Sequence, residues 1–590
     1  MHPPLNPERA PSTNRCPEAT RLPSAITALI QACRKAANSP IGKIIKFSPV
    51  GVAGITLLLF ALTREKAHEI DFPHEGEQFT LQDLTLREKI AQLMHGSPYG
   101  SPTARAIDAG LNHQKVDFGL TRGLSDWLTD WLKSDETIGG IHLFRADARS
   151  IDEANRTAIE LTAQSRIPPF ISMDVVGGYT KHLGLTREDA RAYGVPEKFL
   201  KIAEENGNLE LPSQEDLGRT FESLKTQAER IEFRKDMELY GAAMGRLCRD
   251  LGITINFAPV MDLVEDVDGT NFMAIHDETY GSKIHTVMVL SFHYIKGFQK
   301  VDGAMAGPKH FTGTGKVEGN IHEERKQDLS TMGIRDGSIL PFENAIQGEL
   351  FHSRIHPQSY PFDSRLRQLE RDIRYLEQVL EYRIREGKPH DDIKGQLAQK
   401  RQDRDKFLRK HNLNGQLVPE GFTRMAPITG LMAGHAQTIL NPDTPGSLSQ
   451  EMMRIRVAHN LAFDGILWTD DLTMGSVQAH ASATGCSEEL DDRMAEVYTQ
   501  ALAAGATMPM TLHHSGSLDA IVERVQQAID EGEDFDGDGT PDITMATIDR
   551  RVRAVLDQKA ELGLLSREGS VYTNTALEYF QGTRAFQQND

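Results

Sequence analysis

Asp470 and Asp471 follow directly on the apolar run Gly465-Ile-Leu-Trp-Thr469, and the same arrangement recurs along the chain. Asp174 closes Pro169-Phe-Ile-Ser-Met173, and Asp262 closes Ile253–Met261. Lys309 and His310 follow Ala304-Met-Ala-Gly-Pro308, and His435 follows Leu431-Met-Ala-Gly434. A carboxylate can act as a nucleophile, and an imidazole can carry protons near neutral pH. Lys and His together can donate hydrogen bonds to a hydroxyl-rich ligand, whereas as core residues they would be costly. A single polar residue after a strand is ordinarily structural, and an Asp-Asp pair there caps the next helix. Several such ends in one chain predict one converging site.

Those residues need elements to hold them. The short apolar runs alternate with amphipathic stretches, among them Ala154–Gln164, Lys235–Asp250 and Met452–Asn460. Strand–helix alternation implies a parallel sheet covered on both faces. This many units favours a closed (β/α)8 barrel over an open sheet, and a barrel places its chemistry at the carboxyl ends of its strands. The body begins near Phe79. Leu84–Leu93 reads as a capped helix, with Thr85 near its start and Glu88 three residues on. Leu366, Leu369, Ile373, Leu376 and Leu380 then recur at steps of three and four, Gly387-Lys-Pro389 breaks the pattern, and a polar helix follows over roughly Asp391–Lys410. This predicts a helical hairpin inserted at about 351–425, either packed decoration or an arm that meets a partner or gates a substrate. No internal repeat of 20–50 residues is evident.

One further constellation lies outside this pattern. Asp534-Phe-Asp-Gly-Asp-Gly-Thr-Pro-Asp542 puts oxygens at loop positions one, three, five and nine, with Gly at six. That is the spacing of a calcium loop, although position twelve is Met545 where a bidentate Glu is usual. It reads either as a structural calcium site of Asp534, Asp536, Asp538 and Asp542 or as an acidic surface turn.

The chain has 590 residues, 39% hydrophobic and 25% charged, with a formal net charge of −19. An acidic surface repels phosphate backbones and argues against a nucleic-acid partner. Cys16, Cys33, Cys248 and Cys486 show no CxxC spacing, so neither zinc nor a disulfide framework is indicated. Residues 1–42 have a disordered composition. Within 43–66, Phe47–Leu62 carries no charge and is preceded by Arg34, Lys35, Lys43 and Lys46. It reads as a membrane anchor or signal segment with the bulk outside, though short of the roughly 20 residues of a full span. A buried core helix or an early start codon are the other readings. The expected location is extracytoplasmic, with a cytoplasmic location as the alternative. Residues 79–565 form the expected barrel domain, and 566–590 its C-terminal tail.

In order, Leu86–Leu93, Ile138-Gly-Gly-Ile141, Asp174 with Gly177-Gly178, and Asn256-Phe-Ala-Pro-Val-Met-Asp262 resemble glycoside hydrolase family 3. Lys309-His-Phe311, Pro341-Phe342, His435, Ser447-Leu-Ser449 and Thr469-Asp-Asp-Leu472 continue the series. The resemblance, to the bacterial β-N-acetylglucosaminidase (β-hexosaminidase) type, covers about 80–565 apart from insertions near 183–235 and 351–425. It implies a retaining glycosidase in which Asp470 forms a covalent glycosyl-enzyme and water releases the sugar, with no cofactor in catalysis. The substrate would be a terminal amino sugar of a cell-wall or related glycan. Asp174, Lys309 and His310 would hold it.

The acid/base position departs from the family pattern. The family stretch reads Lys-His-Phe-Pro-Gly-His-Gly, then four residues, then Asp-Ser-His. Here Lys309-His-Phe-Thr-Gly-Thr-Gly315 leads to Asn320-Ile-His322. His322 falls at the acid/base position, with Asn320 where the orienting Asp stands. An amide oxygen can orient an imidazole but supplies no charge for the imidazolium, and Glu318 or Glu323 could take that part. Glu278 replaces the family arginine in Ile275-His-Asp-Glu-Thr-Tyr-Gly281, and a second arginine position aligns with His182. Two other readings therefore remain open: a family 3 β-glycosidase for another sugar, and a barrel that binds glycans without turnover.

Overall fold

The computed structural model describes residues 72–97, 138–144, 151–177, 180–181, 185–208, 211–264, 273, 277–315, 339–351, 376, 380, 391–410, 422–437, 443–453, 463–512 and 518–583. They fall within one compact unit, Asp71–Asp590. The expected disordered segment 1–42 and anchor segment 43–66 lie outside the described residues, and among those described no helix is long and apolar enough to cross a membrane.

Eight strands make the central sheet: β1 His95–Gly96, β2 Gly140–His142, β3 Phe170–Met173, β4 Ile255–Asn256, β5 Met305–Ala306, β6 Gly430–Ala433, β7 Ile466–Asp471 and β8 Met508–Thr511. All pair in parallel with their chain neighbours from β1 to β5 and from β6 to β8, and β8 returns to β1. A bridge between Phe311 and Ala433 joins the continuation of β5 to β6, so the ring closes. There Phe311 N donates to Met432 O at 2.8 Å, and Gly434 N donates to Phe311 O at 2.7 Å. The expected (β/α)8 barrel is thus present as a parallel eight-stranded ring.

The strands read as apolar runs because both faces are buried. Inside the ring, Trp468 stacks edge-on against Phe257 at 5.5 Å and Phe170 at 6.3 Å between ring centres. Trp468 Nε1 donates to His95 Nδ1 at 3.2 Å, so the His95 proton sits on Nε2 and is donated to Ser172 Oγ at 2.7 Å. Burial pushes the His95 imidazole well below its ordinary pKa and keeps it neutral. A buried polar network of this kind is tolerated because its members are partnered.

Helices cover the ring: α1 Leu86–Leu93, α2 Ile151–Ala163, α3 Gln227–Leu251, α4 Ile284–Phe298, α5 Leu340–Gln347, α6 Leu490–Ala504, α7 Leu518–Glu531 and α8 Met545–Glu561. The expected capping box of α1 is present, with Thr85 accepting from Glu88 N and Glu88 accepting from Thr85 N. The α3–α4 pair packs closely at Gly241, where a Cβ would lie 2.0 Å from Tyr294 O. From α8, the fully buried Lys559 donates to Gln92 Oε1 at 2.7 Å beside the start of β1, and burial pushes its amine far down in pKa.

Beyond the barrel, Leu565–Glu568 and Val571–Asn574 form a hairpin that pairs antiparallel with Gln78–Thr80. The stretch set apart as a tail therefore ties the end of the body to its beginning. In the insertion, Asp391–Lys410 is helical, and its Ile393 and Leu397 are buried against Leu376 and Leu380 of the expected partner helix.

Candidate active site

The position of Asp470 depends on an irregularity in β7. Trp468 pairs with Met508 and Asp471 with Met510, so three residues of β7 advance against two of β8. Such a bulge re-aims side chains, often beside a functional site. Pro509 stands opposite the bulge and has no N–H to lose there. Met510 N instead donates to Thr469 Oγ1 at 2.9 Å. Asp470 emerges partly exposed among buried neighbours.

The two adjacent carboxylates then have different work. Asp471 accepts from Thr473 Oγ1 at 2.6 Å, Thr473 N at 3.1 Å and Leu512 N at 2.9 Å, so it holds the turn after the strand. The helix-cap alternative raised for the pair is not what Asp471 does: the next helix, Gly475–Ala483, has Met474 at its N-cap with no side-chain cap bond. Asp470 Oδ1 accepts from Asp471 N at 2.8 Å, and Oδ2 lies 3.8 Å from His310 Nε2. Burial raises the Asp470 carboxyl, but His310, His435 and Lys309 outweigh it and hold the group below its ordinary value.

His310 is fixed from behind. Its Nδ1 donates to Asp262 Oδ2 at 2.8 Å, and its backbone N donates to the same oxygen at 3.2 Å. Thr314 Oγ1 donates to the other Asp262 oxygen at 3.1 Å. Burial disfavours the imidazolium, yet Asp262 and Asp470 reverse this and raise the His310 pKa. Lys309 Nζ pairs with Asp174 Oδ1 at 2.9 Å. Burial would lower this ammonium too, and Asp174 and Glu278 raise it instead.

His435 supports the end of β7. Its Nε2 donates to Asp471 O at 2.9 Å, which leaves Nδ1 to accept from Ser447 Oγ at 2.6 Å. Burial lowers its pKa, so it is a neutral brace for the 470–471 backbone.

Four residues expected to meet, Asp174, Lys309, His310 and Asp470, are thus brought together at the carboxyl ends of β3, β5 and β7. The expected acid/base His322 and its companion Asn320, with Glu318 and Glu323, lie outside the described residues, as does His182. Asp262 was legible as a strand end but not as the anchor of His310. Thr314 and Ser447 sat in recognisable stretches without an expected role. The Asp-x-x-x fit of Thr314 to Asp262 needs a contact across 52 residues, which spacing alone does not reveal.

In the acidic loop, Asp534, Asp536 and Asp542 each offer an oxygen within 4.8 Å of the others. Asp538 does not join that group. Its Oδ1 accepts from Thr540 N at 2.9 Å and from the Thr540 hydroxyl at 2.5 Å. Asp542 also accepts from Phe535 N and from Gln450 Nε2, each at 2.8 Å.

Among curated proteins, a β-hexosaminidase of Thioalkalivibrio sulfidiphilus is 32% identical over 114 residues, 19% of this chain and 31% of that protein. A β-hexosaminidase of Chromobacterium violaceum is 25% identical over 210 residues, 35% of this chain and 50% of its own length. The chain thus spans half or less of each of these relatives. A family 3 β-N-acetylglucosaminidase from Paenibacillus sp. shares the fold at TM-score 0.50 and 19% identity, covering 81% of this chain and 63% of that one. The β-N-acetylhexosaminidase of Beutenbergia cavernae does so at TM-score 0.50 and 18% identity, covering 81% and 99%. Residues 208–352 and 422–557 match the glycosyl hydrolase family 3 N terminal domain, breaking off and resuming where the helical insertion enters and leaves, and over those residues the chain is similar to that family.

Proposed function

We propose that this protein is a retaining glycoside hydrolase that releases terminal β-linked amino sugars, with Asp470 as the nucleophile. The observation that carries the reading is the Asp470 carboxylate itself. It is held anionic at the open end of the barrel, with Lys309 paired to Asp174 and His310 paired to Asp262 around it. In the first step Asp470 attacks the anomeric carbon as the bond to the leaving oxygen breaks and His322 delivers a proton to that oxygen. The product is a glycosyl ester on Asp470. Water then gives its proton to His322 and attacks the same carbon, the ester bond breaks, and the sugar leaves with its configuration retained.

Cell-wall or related glycans are the proposed source of the amino sugar, and an extracytoplasmic location with the 43–66 segment as anchor or signal accompanies that reading. Catalysis needs no cofactor in this scheme. A calcium ion held by Asp534, Asp536 and Asp542 would stiffen the loop before α8. A panel of nitrophenyl β-glycosides tests the proposal. Hydrolysis of hexosaminides with net retention is expected, and well-folded protein that cleaves none of the panel at any pH would overturn it. Cleavage confined to sugars without a 2-amino substituent would favour the second reading, a family 3 glycosidase of other specificity, which Glu278 supports.

A further inference from the structure

Strands β3 and β4 part just before they reach the site. Their ladder ends where Phe257 N donates to Met173 O at 3.0 Å. Beyond that point the chain keeps its pairing on the β5 side, where Met261 N donates to Lys309 O at 2.6 Å and Lys309 N to Pro259 O at 3.1 Å. Backbone groups alternate in direction along a strand, so the N–H and C=O of Val260 point away from Lys309, to where β3 would stand. A side chain fills that place. Gln214 Nε2 donates to Val260 O at 2.8 Å, and Val260 N donates to Gln214 Oε1 at 3.0 Å. Only a side-chain amide both donates and accepts in this way without a charge. Asn256 does the same beside Asp174, where Val175 N donates to its Oδ1 at 2.9 Å and its Nδ2 donates to Val175 O at 3.2 Å.

Gln214 is 3% exposed and opens the helix Gln214–Ser223. That helix is itself fixed. Ser213 Oγ caps it by accepting from Asp216 N at 3.0 Å, and at Gly218 a Cβ would lie 2.1 Å from Tyr280 O. The carboxylates that follow Gln214, Glu215 and Asp216, pair with Arg219 at 3.3 and 2.8 Å. Two residues after Val260, Asp262 takes the Nδ1 proton of His310, whose Nε2 lies 3.8 Å from Asp470. A misplacement of about 1 Å at a reacting centre can cost about 100-fold in rate. Resting on the glycosidase reading above, we propose that Gln214 is a positioning residue for the reaction. Its amide stands in for the missing strand at Val260 and thereby fixes Asp262, and through it His310, against Asp470.

Gln214→Glu in the full chain tests this. The protonated acid donates to Val260 O and accepts from Val260 N as the amide does, whereas the carboxylate only accepts and sets a negative charge against the carbonyl oxygen. This variant should match the wild-type kcat at the acid end of the pH profile. As pH rises its kcat should fall at least about tenfold below that of the wild type, with KM little changed. Gln214→Leu should be slowed by as much at every pH. Melting temperatures over the same range establish that each variant is folded where it is assayed. A second measurement needs no turnover. Spectra of ring-labelled histidine, with the His310 signal assigned from its loss in His310→Gln, follow how His310 titrates among Asp262, Asp470, Lys309 and His435. In Gln214→Leu that titration should move to lower pH, because Asp262 is less firmly held. An unchanged His310 titration in folded Gln214→Leu, or a kcat ratio of Gln214→Glu to wild type that is the same at every pH, would each overturn the assignment. Should Gln214→Leu fail to fold, Gln214→Glu decides alone, since its acid form keeps both bonds. If the wild type hydrolyses nothing, the enzymatic reading fails by itself, and the His310 titration in either variant still decides whether Gln214 positions that residue.

Discussion

His310 gives its Nδ1 proton to Asp262 at 2.8 Å and thereby turns Nε2 towards Asp470, 3.8 Å away. The line Asp262–His310–Asp470 crosses from the end of β4 to the end of β7 by way of β5. Asp262 is fully buried and accepts on both oxygens. It fixes which nitrogen of His310 points into the site, and its charge favours the imidazolium.

Asp262→Asn keeps the shape of that anchor and removes its charge. The amide can also flip and present N–H to the imidazole, which selects the wrong tautomer. We expect kcat to fall roughly 10²-fold with a smaller change in KM, because the lost effect concerns charge at the reacting end of the pocket. Steady-state kinetics beside a thermal melt check this. A variant that melts like the wild type and turns over normally would remove Asp262 from the mechanism.

The same line predicts a pH dependence. His310 has its pKa raised in the folded protein, so its imidazolium persists above the ordinary histidine range. Its contribution to stability is fully present below the unfolded value of about 6.5 and is lost as pH rises through the folded value. Activity that needs the imidazolium next to Asp470 should show an alkaline limb displaced upward from the ordinary histidine range. In Asp262→Asn that limb should move to lower pH, since one of the two carboxylates that raise the pKa is gone. His435 works in the opposite sense. Its folded pKa is depressed, so its contribution is present above the unfolded value and lost as pH falls through the folded one. A pH–rate profile of the two proteins reads the alkaline limb, and thermal melts across pH read the two stability contributions.

Much of this arrangement was legible in the sequence, for a physical reason. A strand buried on both faces must be an apolar run, so the polar residue that ends it stands out, and Asp174, Asp262, Lys309, His310, His435 and Asp470 were each found that way. Two strands were not. β1 is only His95–Gly96, too short to carry any period. β8 contains Pro509, which argues against a central strand unless a bulge lies opposite, and the bulge exists only in the pairing with β7. The division of work between Asp470 and Asp471 was equally hidden. Both are aspartates at one strand end, and only the donors Thr473 and Leu512 mark the second as structural. Glu278 showed in sequence as a departure, while its effect on the Lys309 ammonium is a property of the fold.

The loop before α8 makes a separate prediction. Three carboxylates within 4.8 Å repel one another unless a cation or backbone donors intervene. Asp534 already accepts from Gly537 N and Gly539 N at 2.7 Å each, so the turn has internal support without an ion. If calcium binds there, a concentration of about 100 times its Kd would add roughly 2.7 kcal/mol to the stability of whatever unit unfolds with the loop. Thermal melts with calcium and with chelator measure this, and Asp534→Asn together with Asp536→Asn should abolish the shift. Identical melting curves in both conditions would identify the loop as an acidic turn.

Asp470 and Asp471 allow the sharpest separation of chemistry from structure. Asp470 is partly exposed and accepts a local hydrogen bond from the next residue's N–H. Truncation to Ala there should leave folding nearly unchanged and lower kcat by 10⁴-fold or more, on the order of 5.5 kcal/mol of barrier. Added azide should then restore part of the turnover by entering the space the carboxylate left. It would attack the anomeric carbon from that face and give the α-glycosyl azide from a β-glycoside, the inverted product. Asp471 is 3% exposed and holds three donors. Its change to Ala strands those donors at roughly 1–3 kcal/mol each and should appear first as a lower melting temperature. If Asp470→Ala keeps substantial activity, or azide yields only the β-product, the nucleophile lies elsewhere. If Asp471→Ala is the variant that is folded but inactive and rescued by azide, the roles of the two carboxylates are exchanged.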